Sequence, residues 1–320
     1  MRKLLFIFYM LMSFEVIAQV DSASNALMNE LDKKNSIPDV KKPTEVFHAQ
    51  KLINANTVEV LPGGYLKFEV IHNFGDMAGS NGGIKTGFGL DAAADIKIGF
   101  TFGLTKKLNL TLSRSKGGSI VQQLYEMAFK YKFLQQMEND PSHPISLTAF
   151  VNGVISAQQA NTIPNKENSY LNNADRQSQV IQLMVARKFG NLLSFQLNPT
   201  YVHTNYVVPG DVPNIFALGG ALRVPIYKQL AFIADYFHSF RSQSSIDALS
   251  SQGVHLYDAL GIGLEILTPG HIFHMNFTNA TNILENRFIP RTITSWGKGQ
   301  YRWGFTVARN FVLFKDKKKK

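Results

Sequence analysis

The sequence predicts an all-β protein, a transmembrane antiparallel up-and-down β-barrel of about 12 strands. Bulky apolar residues occupy every second position of residues 91–112, which read DAAADIKIGFTFGLTKKLNLTL. Successive side chains of a strand leave opposite faces, so one face here is apolar and the other is charged, hydroxylic or glycine. The same alternation recurs along most of the chain, and tight turns alternate with long polar links. Together these patterns are typical of strands that cross a membrane.

Each predicted strand follows from this alternation. We expect strands at residues 65–74, at two places within 91–112, and at 123–133, 145–155, 181–186, 193–201, 215–226, 230–239, 256–266, 272–279 and 300–311. Pro199 lies within the seventh strand and removes one donor from the ladder, so we expect a local bulge there.

The links between the strands also follow a parity. Tight turns are expected after strands two, six, eight and ten, and long polar links after strands one, five, seven, nine and eleven. Outer-membrane barrels have short periplasmic turns and longer external loops, and an even strand number leaves both termini on the periplasmic side.

A water-soluble antiparallel sandwich is the alternative, because its strands alternate as well. Its polar face would carry many charges, whereas glycine, serine, threonine and asparagine dominate the polar positions here. Aromatic residues also gather near the strand ends, as in the interfacial girdles of membrane barrels. The barrel is therefore the favoured interpretation.

The N-terminus has the pattern of an export signal. Arg2 and Lys3 precede an apolar core at residues 4–14 and a small-residue cleavage site at residues 16–18. A short N-terminal anchor is the alternative. We expect a signal peptide at 1–18, a flexible periplasmic segment at 19–45, the outer-membrane barrel at 46–314 and a basic periplasmic tail at 315–320. Within the barrel domain, residues 46–61 form either a short strand or an inner plug.

Composition narrows the possible partners. The chain has no cysteine, which excludes disulfides and a lipid-modified N-terminal cysteine. Its formal net charge is +10, but no basic stripe is interleaved with aromatic residues, so nucleic-acid binding is not expected. The expected partners are outer-membrane lipids, the barrel-assembly machinery and a small solute.

Charged residues on the inward face are the candidate functional residues. Their spacing predicts a set that lines the lumen: Lys67, Glu69, Asp95, Lys97, Glu126, Lys130, Lys132, Arg223, Asp235, Glu265 and Arg302. One interpretation is a narrow pore that prefers anions. The other is a self-neutralising network, which we favour because buried charges are tolerated when they pair or stay hydrated.

Several segments, in order and spacing, resemble a family of Bacteroidetes outer-membrane β-barrel proteins of unknown function. They are Glu45-Val46-Phe47, Leu52-Ile53-Asn54, Glu59-Val60-Leu61-Pro62, His72-Asn73-Phe74-Gly75-Asp76, Gly89-Leu90-Asp91, Ala186-Arg187-Lys188-Phe189, Ala217-Leu218-Gly219, Gly270-His271-Ile272-Phe273 and Phe277-Thr278-Asn279. The resemblance runs from about Glu45 to Phe311. It implies a barrel in the outer membrane, and it carries over no catalytic or ligand residue to this chain.

Two motifs that suggest other chemistry fail on spacing. Residues 79–86 have the glycines of a phosphate loop, but Ile84 separates the last glycine from Lys85, and no helix is expected after them. His271 and His274 are three residues apart on a strand, so they point to opposite faces and do not converge on one metal ion. No cofactor or metal is expected.

A few polar residues fall on the lipid-facing side of the strands. His72, His203, His238 and Asp258 lie toward the external ends, where charge costs only ~0–1 kcal/mol. Arg187 and Arg309 lie toward the periplasmic ends and are expected to snorkel to that interface. The sequence thus predicts a non-enzymatic barrel that is a narrow pore or a membrane scaffold. The alternative is a lipid hydrolase or acyltransferase that uses a rim histidine.

Overall fold

A computed structural model describes residues 41–314 of the chain. Within them, twelve antiparallel strands form a closed barrel in which each strand pairs with its sequence neighbours and the last pairs with the first. The predicted fold is confirmed. The strands are β1 (Tyr65–Asp76), β2 (Ala93–Gly103), β3 (Leu108–Ser115), β4 (Leu124–Leu134), β5 (Ser146–Ser156), β6 (Gln177–Phe189), β7 (Leu193–Thr204), β8 (Asn214–Tyr227), β9 (Leu230–Phe240), β10 (Ala259–Thr268), β11 (His271–Thr278) and β12 (Arg302–Val312).

The strands form where the sequence alternates, because each turns its bulky residues outward. On β2, Ile98 and Phe100 are exposed, while Lys97, Gly99 and Thr101, which alternate with them, are buried. β4 repeats the pattern along its whole length, with alternating buried and exposed residues. The exposed apolar face has no second sheet packed on it, so the sandwich alternative is wrong.

The two ends of the barrel differ in the length of their links. One end, which we call the turn end, carries the links at 104–107, 135–145, 190–192, 228–229 and 269–270. The opposite loop end carries the links at 77–92, 116–123, 157–176, 205–213, 241–258 and 279–301. The predicted parity holds, with residues 135–145 as the long exception at the turn end.

Helical segments lie in the loops. Helix α1 (Gln243–Ser251) is in the link between β9 and β10, and α2 (Glu285–Arg291) is in the link between β11 and β12. Short 3-10 turns occur at Ile84–Gly89, Ala174–Arg176 and Trp296–Lys298. No helix in the described part of the chain has the length and apolar character needed to cross a membrane.

The bulge expected at Pro199 is wrong. Pro199 pairs with Leu218 of β8 in an unbroken register. Toward β6 the register is also unchanged, since Gln182 faces Thr200 and Val185 faces Leu197. Because proline has no N–H, pairing with β6 is interrupted at this position, but no extra residue is inserted into β7. Irregularities instead lie near strand ends, as between Pro225 and Tyr227.

Candidate functional site in the barrel lumen

All the residues predicted to line the lumen are buried. They are Lys67, Glu69, Asp95, Lys97, Glu126, Lys130, Lys132, Arg223, Asp235, Glu265 and Arg302. Because the barrel is closed and its outward face is exposed, these side chains lie inside it.

Most of these inward charges form ion pairs. Lys67 Nζ lies 2.7 Å from Glu69 Oε2, and Lys97 Nζ lies 2.8 Å from Glu126 Oε2. Arg223 Nε donates to Glu265 Oε1 at 2.6 Å. The pairs match the self-neutralising network that the desolvation argument favours.

Residues 44–61, which we call the plug segment, lie inside the barrel, so they form an inner plug. Thr44, Val46, Phe47, Leu52 and Val58 are all buried. At its centre the segment makes a tight turn, in which the Leu52 N–H donates to the Ala55 carbonyl at 2.8 Å. No part of the plug segment belongs to a strand of the described barrel wall, and the isolated bridge inside the segment pairs Lys51 with Asn56.

The Asp235 carboxylate of β9 holds the plug turn by its backbone. Asp235 Oδ2 accepts from three consecutive backbone N–H groups, those of Ile53 at 3.1 Å, Asn54 at 2.7 Å and Ala55 at 2.9 Å. The Asn54 side-chain amide donates to Asp235 Oδ1 at 2.8 Å. A concave run of backbone N–H groups is a recognised anion-binding arrangement. Here the anion is supplied by the barrel wall.

His274 of β11 links the plug segment to the same wall. Its Nδ1 lies 3.2 Å from the Leu52 carbonyl oxygen, and its Nε2 lies 3.3 Å from Glu265 Oε2. His271 points outward and stacks on Phe273, so the two histidines do lie on opposite faces.

The link at 279–301, which we call the inserted loop, also enters the lumen. Its helix α2 buries Phe288 against Phe237 of β9, with ring centroids 5.2 Å apart. Glu285 Oε1 accepts from Lys51 of the plug segment and, at 3.1 Å, from the Asn56 amide. The two insertions, one continuous with the turn end and one from the loop end, therefore meet inside the barrel.

The interior has an apolar part and a charged part. The apolar part comes mainly from β5 to β9 and packs on the plug segment and α2; its large members are Phe150, Met184, Ile215, Ile233 and Phe237. The sequence places mainly glycine, serine, threonine and asparagine at the inward positions, and this apolar part is the exception among them. The plug segment and the inserted loop have apolar side chains of their own, and these side chains pack on the apolar positions of the wall.

Two cavities lie along the charged part. The larger, about 120 Å³, lies between the plug segment and β1, β11 and β12. The smaller, about 30 Å³, lies between the plug segment and β1 to β5. Both are lined by Gln50, Lys51, Lys67 and Glu69, so these four residues separate them.

The rim histidines contact amide, carboxylate and aromatic groups. His203 Nδ1 contacts Asn214 Oδ1 at 2.6 Å, and His238 Nδ1 contacts Asp258 Oδ2 at 2.8 Å. His72 packs against the rings of Phe74 and Phe305. Within residues 41–314, none of the three forms a hydrogen bond to a serine hydroxyl. A histidine–carboxylate pair without a nucleophile is an incomplete hydrolytic site.

Two further surface features lie outside the lumen, a pair of arginines and a glycine-rich loop. Arg187 and Arg309 lie over the rings of Phe189 and Phe311, with guanidinium carbons 5.2 and 5.1 Å from the centroids. The glycine-rich residues 79–83 are followed by a 3-10 turn at Ile84–Gly89, which corrects the expectation that no helix follows. Non-helical backbone angles at residues 86–88 interrupt that turn, so it presents no aligned amides to a phosphate.

Sequence reasoning missed the partners of the wall charges. Lys51, Glu59 and Glu285 lie outside the strands, where no period marks them as inward. The one available signal is composition. Ile283-Leu284 and Phe288-Ile289 are two pairs of adjacent apolar residues in the inserted loop. Such pairs are unusual in a solvent-exposed loop and indicate that this link is buried.

The fold is similar to that of known porins at low sequence identity. The NanC porin is 9% identical, with a TM-score of 0.43, and the match covers 76% of this chain and 98% of that one. The KdgM porin is 8% identical, with a TM-score of 0.46, and the match covers 77% and 99%. OmpF of Salmonella typhi, in a complex with daunomycin, is 9% identical, with a TM-score of 0.37, and the match covers 77% and 96%.

A comparison with curated proteins gives no match. A family model does match, over residues 47–311, and its description is a membrane bound beta barrel domain (DUF5777). The match runs from the plug segment to the last strand. The family expected from the sequence motifs is a membrane barrel of this kind, while the Bacteroidetes origin stays a prediction. The chain belongs to the family of the membrane bound beta barrel domain.

Proposed function

We propose that this protein is a non-enzymatic outer-membrane barrel of a Gram-negative bacterium, and that it is a narrow pore for a small solute. The plug segment controls the passage. The turn end then faces the periplasm, where the predicted export signal and N-terminal segment would place it, and the loops face outward. The exposed apolar belt contacts outer-membrane lipids, and the barrel-assembly machinery inserts the chain.

The observation that supports a pore most strongly is the position of the two cavities. They lie on one side of the plug segment, along the charged wall, and only a few side chains separate them. The Lys67–Glu69 ion pair is part of this barrier, with 2.7 Å between Nζ and Oε2. Thr306 also lines the larger cavity, and its hydroxyl is buried with no hydrogen-bond partner among the described residues.

The chemistry of the wall also favours a pore over an inert scaffold. Buried ion pairs are often no more stable than well-packed apolar residues of similar volume. A barrel that served only as a scaffold would therefore be as stable with an apolar inner wall on every side. Here the plug segment packs on apolar residues at one side and leaves a charged wall at the other. That wall suits a lumen that becomes hydrated when the plug segment moves.

Planar bilayer recording tests this function. The purified protein should give discrete single-channel steps, and Lys67→Ser/Glu69→Ser should give larger steps because it joins the two cavities. Lys106→Ser, in an exposed turn, is the matched control and should leave the step size unchanged. Absence of steps from the wild type and from the double variant would overturn the pore and favour a scaffold.

A further inference from the structure

A row of alternating charges ties together the links at the loop end. In order, it consists of Arg287, Glu167, Arg291, Asp211 and Arg241. Glu167 comes from the link between β5 and β6, Asp211 from the link between β7 and β8, and Arg241 follows β9. Arg287 and Arg291 are both on α2, within the inserted loop. We call this arrangement the charge row.

The charge row is buried and carries excess positive charge. The arginine side chains are 3% (Arg241), 9% (Arg287) and 9% (Arg291) exposed. The row holds three guanidiniums and two carboxylates. The Glu167 carboxyl is ionised at neutral pH. Burial acts to raise its pKa, but Arg287 and Arg291 outweigh burial and lower the pKa below the ordinary value. The sum over the row is therefore one positive charge.

The guanidiniums also keep unused donors. The Nε atoms of Arg241 and Arg287 are buried without a hydrogen-bond partner in the described part of the chain. Arginine presents five N–H donors in a rigid fork that matches a carboxylate. An incoming carboxylate would neutralise the excess charge and pair the unused donors. Uncompensated buried charge is costly, so the binding of such an anion is favourable.

The protein's own carboxylates indicate which anion fits. Arg291 donates from Nε to Glu167 and from Nη1 to Asp211, each at 3.1 Å. Glu167 and Asp211 both lie on loops at the barrel mouth, so a solute carboxylate that enters from this end reaches the same guanidiniums. Arg287 and Arg291 belong to α2, which is packed in the lumen, and Arg241 directly follows β9.

We infer that the charge row is the entry site of the pore and selects small organic anions that carry a carboxylate. This rests on the proposed function, since it names the class of solute that the same passage admits. The site lies at the outer mouth, where a solute must pass α2 before it reaches the two cavities.

Calorimetric titration of the purified full-length protein in detergent tests the inference without any measurement of current. The probe is succinate, and its uncharged analogue succinamide is the control ligand. Succinate should bind saturably and succinamide should not. Arg291→Gln should weaken succinate binding about tenfold or more, the effect of losing charge-assisted hydrogen bonds. Arg309 lies on the lipid-facing surface at the opposite, turn end of the barrel, so Arg309→Gln should leave binding unchanged.

Removal of a carboxylate from the charge row distinguishes a binding site from a contact that only holds the loops together. Glu167→Gln removes the competing carboxylate charge and should strengthen succinate binding severalfold. If the charge row only held the loops together, the loss of Glu167 would not improve binding. Weaker binding in Glu167→Gln, equal binding of succinamide, or no saturable binding would overturn the inference. None of these results depends on whether the bilayer experiment shows channel steps.

Discussion

The Asp235 carboxylate and the Asn54 backbone nitrogen lie 2.7 Å apart, although 181 positions separate the two residues in the sequence. With the neighbouring N–H groups of Ile53 and Ala55, this contact fixes the plug turn to β9. One side chain of the wall thus satisfies three backbone donors that have no partner within the turn itself. The position of the plug segment depends on it.

Asp235→Ala should release the plug turn. Each buried donor left without an acceptor costs about 1–3 kcal/mol, so the total loss should be at least about 3 kcal/mol. We expect a lower midpoint of urea unfolding, together with more frequent and longer openings in planar bilayers. The matched control is Asp247→Ala, which removes an exposed carboxylate from α1. Unchanged openings in Asp235→Ala would show that the plug segment is held by other contacts.

The contact between Lys51 and Glu285 should be strongly coupled. Both side chains are almost fully buried, at 3% and 1% exposure. Glu285→Leu leaves the Lys51 ammonium buried without its carboxylate and should cost about 3–5 kcal/mol, as should Lys51→Met. The double variant removes both charges and should lose much less than the sum. Additive losses in urea unfolding would mean that the two insertions do not depend on each other. His48→Ala, at an exposed pair, should change stability by less than ~1 kcal/mol.

The contrast between these contacts and the strands marks what the sequence can predict. A strand is a local pattern, and alternation in residues such as Ile98, Phe100 and Phe102 is enough to place it and to tell inside from outside. The partner of Lys51 lies 234 residues away, in a link with no period, so no local pattern identifies it. The same holds for Asp235, whose inward direction follows from spacing but whose partners are backbone groups of the plug turn.

At Pro199 the sequence rule is correct, but the bulge inferred from it does not form. Proline removes a donor from the ladder, and a bulge is one way to accommodate the loss. In this barrel the strand keeps its register on both sides, because neighbouring pairs at Thr200 and Leu197 hold it in place. Cooperative pairing along a long strand thus outweighs one missing hydrogen bond.

Gly219 should tolerate no side chain. A Cβ at this position would lie 2.4 Å from Cε1 of Phe237, whose ring packs on Phe288 and has little room to move. Gly219→Ala should therefore cost about 1–3 kcal/mol by overpacking. Gly153→Ala is the matched control, since a Cβ there meets nothing within 4 Å on the outward face. Equal unfolding midpoints for the two variants would contradict the close packing of this wall against α2.

Glu167 should make the loop end sensitive to acid. Burial opposes its ionisation, but Arg287 and Arg291 prevail and depress its pKa below the ordinary value of 4.5. A carboxyl whose pKa is lower in the folded state contributes stability that is present above the unfolded pKa, near 4.5, and is lost as the pH falls through the folded pKa. The stability difference between wild type and Glu167→Gln should therefore be constant above about pH 5 and shrink below it. Thermal unfolding from pH 3 to 7 measures it, and a difference independent of pH would contradict the pairing.

The outward face should behave as a surface in contact with lipid. Phe129 is at the centre of β4 and is 42% exposed, and Phe133 is near the end of the same strand and is 48% exposed. A lysine on the lipid face costs about 2–4 kcal/mol at the midplane of the bilayer and only ~0–1 kcal/mol near the interface. Phe129→Lys should thus be strongly destabilised in urea unfolding from phospholipid vesicles, and Phe133→Lys should be close to wild type. If exposure alone governed the cost, as it would in water, the two variants would be affected alike. A cost that follows depth along the strand, and not exposed area, is therefore the signature of a barrel wall in hydrocarbon.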